Sequence, residues 1–573
     1  MTEHFTLTIP TRSADANLPP VRAHAGETVL DAMTRAGGSL YVPCAGRGVC
    51  GKCRIIARGG LAAPTDAELN HLTSEELAAG VRLACQARIA GDVAVHAVGA
   101  GPSDARPDVA GPASILLGTR GFDRAHSGSP SLAEQPRPCL DARPSGLGVA
   151  LDIGTTTLVA YLVDRATGAI IDAEGALNPQ AAHGADLISR IAFSETPGGL
   201  GMLRRKVTQA VDGLVRTLLQ RSGVSGDDAR WVSAVGNTCM HHLFLGIPAG
   251  GLGRLPYAAV ILDTGIIPAP RAGLTCVSPE ASFFFLPNIA GFVGSDALAV
   301  ALVAGMDENC RPTLAIDIGT NGEILLAAGG RVLACSAAAG PAFEGVNISS
   351  GTIAAPGAID WVGLAEPSTH SDIEIHVIGD VKPRGICGSG LISLVAALRQ
   401  AKLISDAGAF EPEAVDPESP LARRLAAGPG GIEFILSDPV DAAPHNDAVA
   451  ARVALTQRDI RELQLAKAAM RAGAEVLLEE AAIGASDIDR IVLAGAFGTY
   501  LDKDDAQAIG LLPRAPNARI AALGNAAGEG AALVVASQDA YREAKRLANI
   551  IEHIELGANP RFMQVFADSM LLA

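Results

Sequence analysis

Residues 43–53 read PCAGRGVCGKC and place three cysteines on one glycine-rich stretch. Cys44, Cys50 and Cys53 follow the spacing C-x5-C-x2-C, and Cys85, in RLACQARI, comes after 31 intervening residues. Four thiolates suit either a zinc ion or an iron–sulfur cluster. A structural zinc site usually has two paired C-x2-C knuckles, whereas here three ligands share a loop and the fourth stands alone. The spacing therefore favours an iron–sulfur cluster.

The segments around the cysteines predict a small mixed α/β domain. HFTLTI alternates as a strand, GETVLDAMTRAGG predicts a helix that ends at glycine, and CRIIA and LACQARIAGDVAVHAV predict further strands. Residues 1–98 resemble a [2Fe–2S] ferredoxin of the β-grasp type, and the x5 loop is similar to that of hydroxylase-type ferredoxins. The resemblance implies that Cys44, Cys50, Cys53 and Cys85 hold a [2Fe–2S] cluster.

Composition excludes several functional classes. The chain has 573 residues, of which 49% are apolar, and its net charge is −16 with 45 basic and 61 acidic residues. An acidic balance spread along the chain disfavours nucleic acid as a partner. Apolar runs are too short for a membrane span, and MTEHFTLTIP does not have the pattern of a signal peptide. We expect a cytoplasmic protein of several domains.

Residues 99–146 change character and predict a linker. Seven prolines, mixed with glycine, serine and charged residues, leave no room for a regular element of any length. We therefore place the domain boundaries at 1–98 for the ferredoxin domain, 99–146 for the linker, and 147–573 for the remainder of the chain.

The remainder contains an internal repeat. VALDIGTTTLVAYLVD (149–164) and LAIDIGTNGEILLAAG (314–329) share a strand, the turn D-I-G-T and a second strand. Two such turns predict a duplicated α/β unit, with lobes at 147–311 and 312–573 that face a common cleft. Glycine and hydroxyl residues at a tight turn can bind phosphate, and a carboxylate at each strand end can hold Mg²⁺ through water. The candidate residues are Asp152, Gly154, Thr155, Thr156, Asp317, Gly319, Thr320 and Asn321.

Three further segments complete the predicted cleft. They are WVSAVGNTCMHHLFLGI, RGICGSGLISLVAALRQ with Gly388 and Gly390, and IDRIVLAGAFGTYLD with Gly495 and Gly498. Their order resembles the phosphate, connecting and adenosine motifs of the superfamily that joins acetate and sugar kinases, actin and the heat-shock chaperone ATPases. The resemblance implies two actin-like lobes of the ribonuclease-H type that bind ATP.

The combination of domains resembles one family, the reductive activators of corrinoid proteins. NPQAAHGADLISRI (178–191) is also similar to a segment of these proteins. The resemblance implies ATP-dependent transfer of one electron from the cluster, which returns an inactive Co(II) corrinoid to Co(I). The implied partners are a corrinoid protein, a methyltransferase or a cobalamin-dependent methionine synthase, together with an upstream reductant. A homodimer is compatible with this interpretation.

Three other interpretations remain open. The first is a small-molecule kinase of the acetate or sugar type with a redox-sensing ferredoxin domain, in which Asp296 or Glu344 would supply the base. The second is an ATP-driven electron donor like the activators of 2-hydroxyacyl-CoA dehydratases, which would use Cys335 and Cys387 for a [4Fe–4S] cluster. The third is an electron-transfer protein with a degenerate ATPase module, against which the intact Asp152 and Asp317 argue.

Overall fold

The computed structural model describes most of the chain as two compact units. The described residues are 4–8, 20–35, 42, 46, 48, 51–98, 146–184, 186–319, 321–365, 372–428, 430–437, 452–495 and 501–572. The first unit contains the residues up to 108, and the second contains most of the rest. The predicted linker, apart from Gly146, lies outside the described residues, so its boundaries stay a prediction. No helix within the described ranges has the length and apolar character needed to cross a bilayer.

The first unit is a five-stranded mixed sheet with short helices. Its strands lie in the order β2-β1-β5-β3-β4, with β1 and β5 parallel and the other neighbours antiparallel. Val29 and Met33, which the helical pattern predicts on one face of α1, are buried in the core together with Ala32. Ala36, predicted on the same face, lies outside the described residues. The elements are β1 (His4–Thr8), β2 (Val21–His24), α1 (Val29–Arg35), β3 (Arg54–Leu61), α2 (Asp66–His71), α3 (Ser74–Ala78), β4 (Val81–Leu83) and β5 (Ile89–Val98).

A buried ion pair fixes β4 in this unit. The Thr65 side chain caps α2 in a capping box with Glu68. The carboxylate of Glu68 accepts hydrogen bonds from Arg82 Nε at 2.8 Å, Arg82 Nη2 at 2.9 Å and the Leu83 backbone N–H at 3.0 Å. Glu68 is fully buried and Arg82 is nearly so. The pair therefore ties α2 to the strand that leads directly into Cys85.

The described residues of the rest of the chain form two large sheets and two small ones. Its strands are β6 (Leu147–Ile153), β7 (Thr157–Asp164), β8 (Ala169–Leu177), β9 (Ala229–Val235), β10 (Ile266–Pro268), β11 (Ser282–Phe285), β12 (Thr313–Ile318), β13 (Gly322–Ala328), β14 (Arg331–Ala337), β15 (Ala358–Leu364), β16 (Ile373–Val377), β17 (Gly385–Ile386), β18 (Leu425–Gly428), β19 (Gly431–Ser437), β20 (Val453–Thr456), β21 (Arg490–Ala494), β22 (Arg519–Gly524) and β23 (Ile551–His553). Its helices are α4 (Leu187–Ser194), α5 (Gly199–Arg221), α6 (Thr238–Leu245), α7 (Ser295–Ala304), α8 (Gly388–Gln400), α9 (Pro420–Arg423), α10 (Gln457–Glu480), α11 (Lys503–Ala508), α12 (Ala526–Ala536), α13 (Gln538–Ile550) and α14 (Phe562–Asp568).

The two large sheets repeat one topology. The first has the order β10-β11-β9-β6-β7-β8 and the second the order β22-β21-β12-β13-β14-β23. In each sheet a three-stranded antiparallel meander, β6-β7-β8 or β12-β13-β14, is extended by parallel strands, β9 and β11 or β21 and β22. The D-I-G-T turns occupy equivalent positions between the first two strands of each meander. The predicted duplication of an α/β lobe is therefore confirmed.

Two helices join the lobes through a common core. Helix α12, from the end of the chain, packs on β6, β7 and β9 of the first sheet, while α7 packs on β12 and β13 of the second. The two helices also pack on each other, and a Cβ at Gly530 would lie 2.6 Å from the Cβ of Ala299. Because that distance is far below van der Waals contact, only glycine permits this approach. The core of both lobes continues through this crossing.

The buried ion pair of the first unit generates a prediction. Replacing Arg82 with methionine (Arg82→Met) leaves the Glu68 carboxylate buried without its charged partner. We expect the first unit to lose about 3 kcal/mol of unfolding free energy, because breaking one side of a buried pair leaves an uncompensated charge. Urea denaturation of the full chain, followed by circular dichroism, measures the change.

Arg35→Met is the matched control. Arg35 pairs with Glu27 at 2.8 Å, but 45% of its side chain is exposed, and exposed pairs contribute about 1 kcal/mol or less. Equal losses in the two variants would contradict the structural role assigned to the buried pair.

Candidate functional site

Two of the four predicted cluster ligands converge in the first unit. Cys53 directly precedes β3 and Cys85 follows β4, and these two strands pair antiparallel. The Sγ atoms lie 3.2 Å apart, and only 1% and 6% of the two residues is exposed. A disulfide would hold the sulfurs at about 2.05 Å, so the thiols converge without a bond. Cys44 and Cys50 lie outside the described residues.

Glycines shape the loop that carries the other cysteines. Gly46, Gly48 and Gly51 have φ angles of +81°, +74° and +64°, values that side-chain-bearing residues rarely adopt. A Cβ at Gly51 would lie 3.1 Å from the ring of His71, and one at Gly48 would lie 2.8 Å from the amide of Gln86. Gly51 therefore lies close to α2, and Gly48 lies close to the residue after Cys85. Sequence reasoning missed both His71 and Gln86.

The donor set fits an iron–sulfur cluster. Cysteine thiolate is the ligand that holds such clusters, and buried sulfurs beside a glycine-rich loop leave backbone N–H groups free to approach them. Across the described ranges, no group of three His, Cys, Asp or Glu side chains could hold a metal ion. The predicted four-cysteine set includes Cys44 and Cys50, which lie outside those ranges.

The two predicted aspartates lie at equivalent strand ends of the second unit. Asp152 is the second-last residue of β6. It lies two positions before Gly154, whose N–H donates to the Thr157 carbonyl at 2.9 Å. Asp317 is at the same point of β12, before Gly319, whose N–H donates to the Asn321 carbonyl at 3.2 Å. Each carboxylate therefore lies near a strand end, just before a glycine whose N–H closes a tight turn.

Two more carboxylates join them. Asp296 is in the first turn of α7, and Glu323 pairs directly opposite Asp317 on β13. Loss of water and then repulsion by Asp296 and Asp152 raise the pKa of Asp317 to about 7. Desolvation and the charge of Asp152 likewise raise the pKa of Asp296 to about 7. Desolvation, followed by the charges of Asp296 and Asp317, raises the pKa of Glu323 well above its usual value.

An asparagine orients the carboxylate of the first turn. Asn525 Nδ2 donates to Asp152 Oδ2 at 2.8 Å, while Asn525 Oδ1 accepts from the Gly528 N–H at 2.9 Å and caps α12. Desolvation raises the pKa of Asp152 to about 6, and the hydrogen bond from Asn525 opposes that rise. Asn525 reaches Asp152 from a position 373 residues further along the chain.

A second asparagine performs a similar task beside it. Asn237 Nδ2 donates to Thr155 Oγ1 at 2.9 Å, and its Oδ1 accepts from the Met240 N–H at 3.0 Å as the cap of α6. The WVSAVGNTCMHHLFLGI segment therefore meets the first D-I-G-T turn, as its predicted place in the cleft requires. Neither Asn525 nor Glu323 was among the candidates, although an asparagine that precedes a helix in LGNAAGEGAAL is a readable cap signal.

The remaining candidates are placed as follows. Gly495 has φ +86°, and a Cβ there would lie 2.6 Å from Asp317 Oδ1, so this residue touches the second turn. Gly388 begins α8 as predicted. A Cβ at Gly390 would lie 2.1 Å from the Ile359 carbonyl oxygen, so packing against β15 already requires this glycine.

Thr156 Oγ1 donates to Glu344 at 3.2 Å. Thr320 and Gly498 lie outside the described residues.

Family models match nearly the whole chain. The 2Fe-2S iron-sulfur cluster binding domain matches residues 20–90, the RACo middle region matches 147–309, and the C-terminal domain of RACo, the ASKHA domain, matches 311–573. The first of these models indicates that the chain binds an iron–sulfur cluster, and the ASKHA model indicates that it binds ATP. Both coarse predictions are confirmed at this level.

Individual relatives agree with these models. The corrinoid activation enzyme RamQ of Eubacterium limosum is 34% identical over 421 residues, which cover 73% of this chain and 69% of the relative. The [Co(II) methylated amine-specific corrinoid protein] reductase of Methanosarcina barkeri is 25% identical over 392 residues, covering 64% and 66%. The solved structure of a reductive activator for corrinoid,iron-sulfur protein matches with a TM-score of 0.66 and 28% identity, over 99% of this chain and 98% of that one. The chain belongs to the RACo family of reductive activators of corrinoid proteins.

Proposed function

We propose that this chain transfers one electron to a partner protein's inactive Co(II) corrinoid and returns it to Co(I), in a step that depends on Mg-ATP. The observation that carries the proposal is that one chain combines a converging pair of buried cysteines with two duplicated lobes, each of which contributes one D-I-G-T turn. The names of its relatives, which act on corrinoid proteins, support the substrate class.

Four thiolates are proposed to hold a [2Fe–2S] cluster. Cys53 and Cys85 supply two of them, and Cys44 and Cys50 complete the set by their spacing. When bound, such a cluster supplies single electrons at a low potential, which is about −400 mV in plant-type ferredoxins. The buried positions of Cys53 and Cys85 exclude water from two of the ligands.

The cleft is proposed to bind Mg-ATP. Backbone N–H groups of the two turns and the hydroxyls of Thr155 and Thr156 would bind the phosphates. Mg²⁺ retains several waters and is usually bound through one or two carboxylates and the phosphates, and Asp152 and Asp317 would take that role. Because α7 and α12 link each lobe to the sheet of the other, nucleotide binding can shift how the lobes are arranged and so act as a conformational input.

The other interpretations receive less support. A kinase would need a second substrate pocket beside Asp296 or Glu344, and Glu344 already accepts from Thr156. A dehydratase-type cluster shared between subunits would need accessible thiols. Cys335 and Cys387 are buried, at 0% and 3% exposure, and each points its Sγ at a backbone carbonyl. Intact carboxylates in both turns argue against a degenerate ATPase module.

Cysteine substitution tests the cluster. Protein purified without oxygen is expected to carry one [2Fe–2S] cluster, and Cys85→Ser is expected to lose most of it, because serine replaces a buried thiolate ligand. Visible absorption, iron content and EPR measure the outcome. Cys335→Ser is the control, since that thiol lies in the core of the second unit. The cluster content of this variant should match that of the unsubstituted protein. An unaltered cluster in Cys85→Ser, or a native [4Fe–4S] signal, would disprove the ligand assignment.

Substitution of the second-turn aspartate tests the cleft. Asp317→Ala is expected to weaken Mg-ATP binding about tenfold or more, since losing an interaction of a charged group costs about 1.5–3 kcal/mol. Calorimetric titration measures the affinity. Asp489→Ala is the matched control: Asp489 precedes the same parallel strand pair at its opposite end, and its side chain makes an exposed contact with Arg311. Unchanged affinity in Asp317→Ala would show that Asp317 is a turn residue only.

Electron transfer is tested with a corrinoid partner. Reduced protein, Mg-ATP and a Co(II) corrinoid protein are mixed without oxygen, and the Co(I) absorption band is followed. We expect Co(I) to form with the unsubstituted protein and not with Cys85→Ser, while Asp317→Ala forms it more slowly at limiting ATP. If no Co(I) forms with a panel of methyltransferase and methionine synthase partners, and acetate or a sugar is phosphorylated instead, the kinase interpretation is correct.

A further inference from the structure

Gln86, the residue after Cys85, contacts the cysteine loop with its side-chain amide. Gln86 Nε2 lies 2.9 Å from the Gly46 carbonyl oxygen and 3.5 Å from Cys85 Sγ. Gly46 falls between Cys44 and Cys50 in the sequence, so one amide group touches both the loop and a ligand that follows β4. Gln86 is half-buried.

The contact with Gly46 fixes which way the amide faces. A backbone carbonyl oxygen can only accept a hydrogen bond, so the NH₂ group of Gln86, and not its oxygen, must point at Gly46. The NH₂ group has a second hydrogen, and the sulfur at 3.5 Å is the neighbouring acceptor. Gln86 is therefore oriented as a donor to Cys85.

The loop is shaped to admit this amide. A Cβ at Gly48 would lie 2.8 Å from both Cδ and Nε2 of Gln86 and 3.0 Å from the Ala67 Cβ. Gly48 also has φ +74°, so a side chain is disfavoured by both space and backbone conformation. The glycine leaves the amide of Gln86 packed directly against the loop backbone.

We propose that Gln86 is a positioning residue that raises the reduction potential of the cluster by donating a hydrogen bond to the Cys85 thiolate. The inference rests on the proposed ligation by Cys85. Reduction adds one electron and no proton, and the added negative charge spreads onto the sulfurs. A fixed N–H donor stabilises the reduced form more than the oxidised form, so it favours uptake of the electron.

Substitution of Gln86 and a redox titration test the inference. Gln86→Met keeps the length of the side chain and removes both donor hydrogens. We expect the equilibrium constant for reduction of its cluster to fall about tenfold, which corresponds to a midpoint potential lower by about 59 mV for one electron. Gln86→Glu has the same shape but places a negative carboxylate beside the thiolate, and its shift should be larger in the same direction. EPR-monitored potentiometry without oxygen gives the midpoint, and iron content gives cluster occupancy.

Thr73→Ala is the matched control. Thr73 Oγ1 accepts a hydrogen bond from the Glu76 N–H in the same unit, so its loss weakens a helix cap without removing a donor to Cys85, and the potential should stay unchanged. A Gln86→Met midpoint equal to that of the unsubstituted protein would overturn the inference, leaving Gln86 as a space-filling residue. If Gln86→Met cannot retain a cluster, an unshifted midpoint in Gln86→Glu overturns the inference instead.

Two further outcomes separate the inference from the proposed ligation. Loss of the cluster from both Gln86 variants, at unchanged thermal stability, would overturn the tuning role and make Gln86 an assembly residue. A cluster that persists unaltered in Cys85→Ser would overturn the ligation itself, whatever the Gln86 variants show.

Discussion

The close crossing of α7 and α12 is the contact on which the second unit depends. Each helix packs on the sheet of the opposite lobe, and the approach at Gly530 and Ala299 leaves no space for a larger residue. Because α12 begins at Asn525, the same helix that closes the core also delivers an amide to Asp152. The geometry of the cleft is therefore set by packing, and any change in how the lobes meet must move Asp152 relative to Asp317.

The cleft is costly to the folded protein without its ligand. Asp296 and Asp317 have pKa values of about 7, raised mainly by desolvation, whereas in the unfolded chain they titrate near 4. The folded state thus binds more protons than the unfolded state between these values, and it loses stability as pH rises through that window. A divalent cation that binds only the folded state offsets this loss. Under the proposed function, Mg-ATP would offset the same loss by binding the folded state.

The sequence predicts the parts of the fold that repeat or keep a fixed spacing. The two D-I-G-T turns predict the duplicated lobes because each turn lies within one strand pair, and the cysteine spacing predicts the ferredoxin domain for the same local reason. Asn525 and Gln86 depend on contacts between distant segments, whereas Glu323 faces Asp317 only through the register of the β12-β13 hairpin. Their local signals have ordinary explanations. An asparagine before a helix is a common cap, and a glutamate within an apolar strand gives no indication of the aspartate it will face. Gly390 shows the converse, since packing on β15 accounts for it without a ligand.

Both sites use neutral amides to orient anionic groups. Gln86 is held by the Gly46 carbonyl and aims its second hydrogen at Cys85, and Asn525 is held by the Gly528 N–H and aims its Nδ2 at Asp152. An arginine or lysine in either position would also donate, but its full charge would neutralise the thiolate or carboxylate. An amide supplies a directed dipole and leaves the negative charge of that group in place. The same choice of side chain in two unrelated folds follows from one requirement: the anion must be oriented without being neutralised.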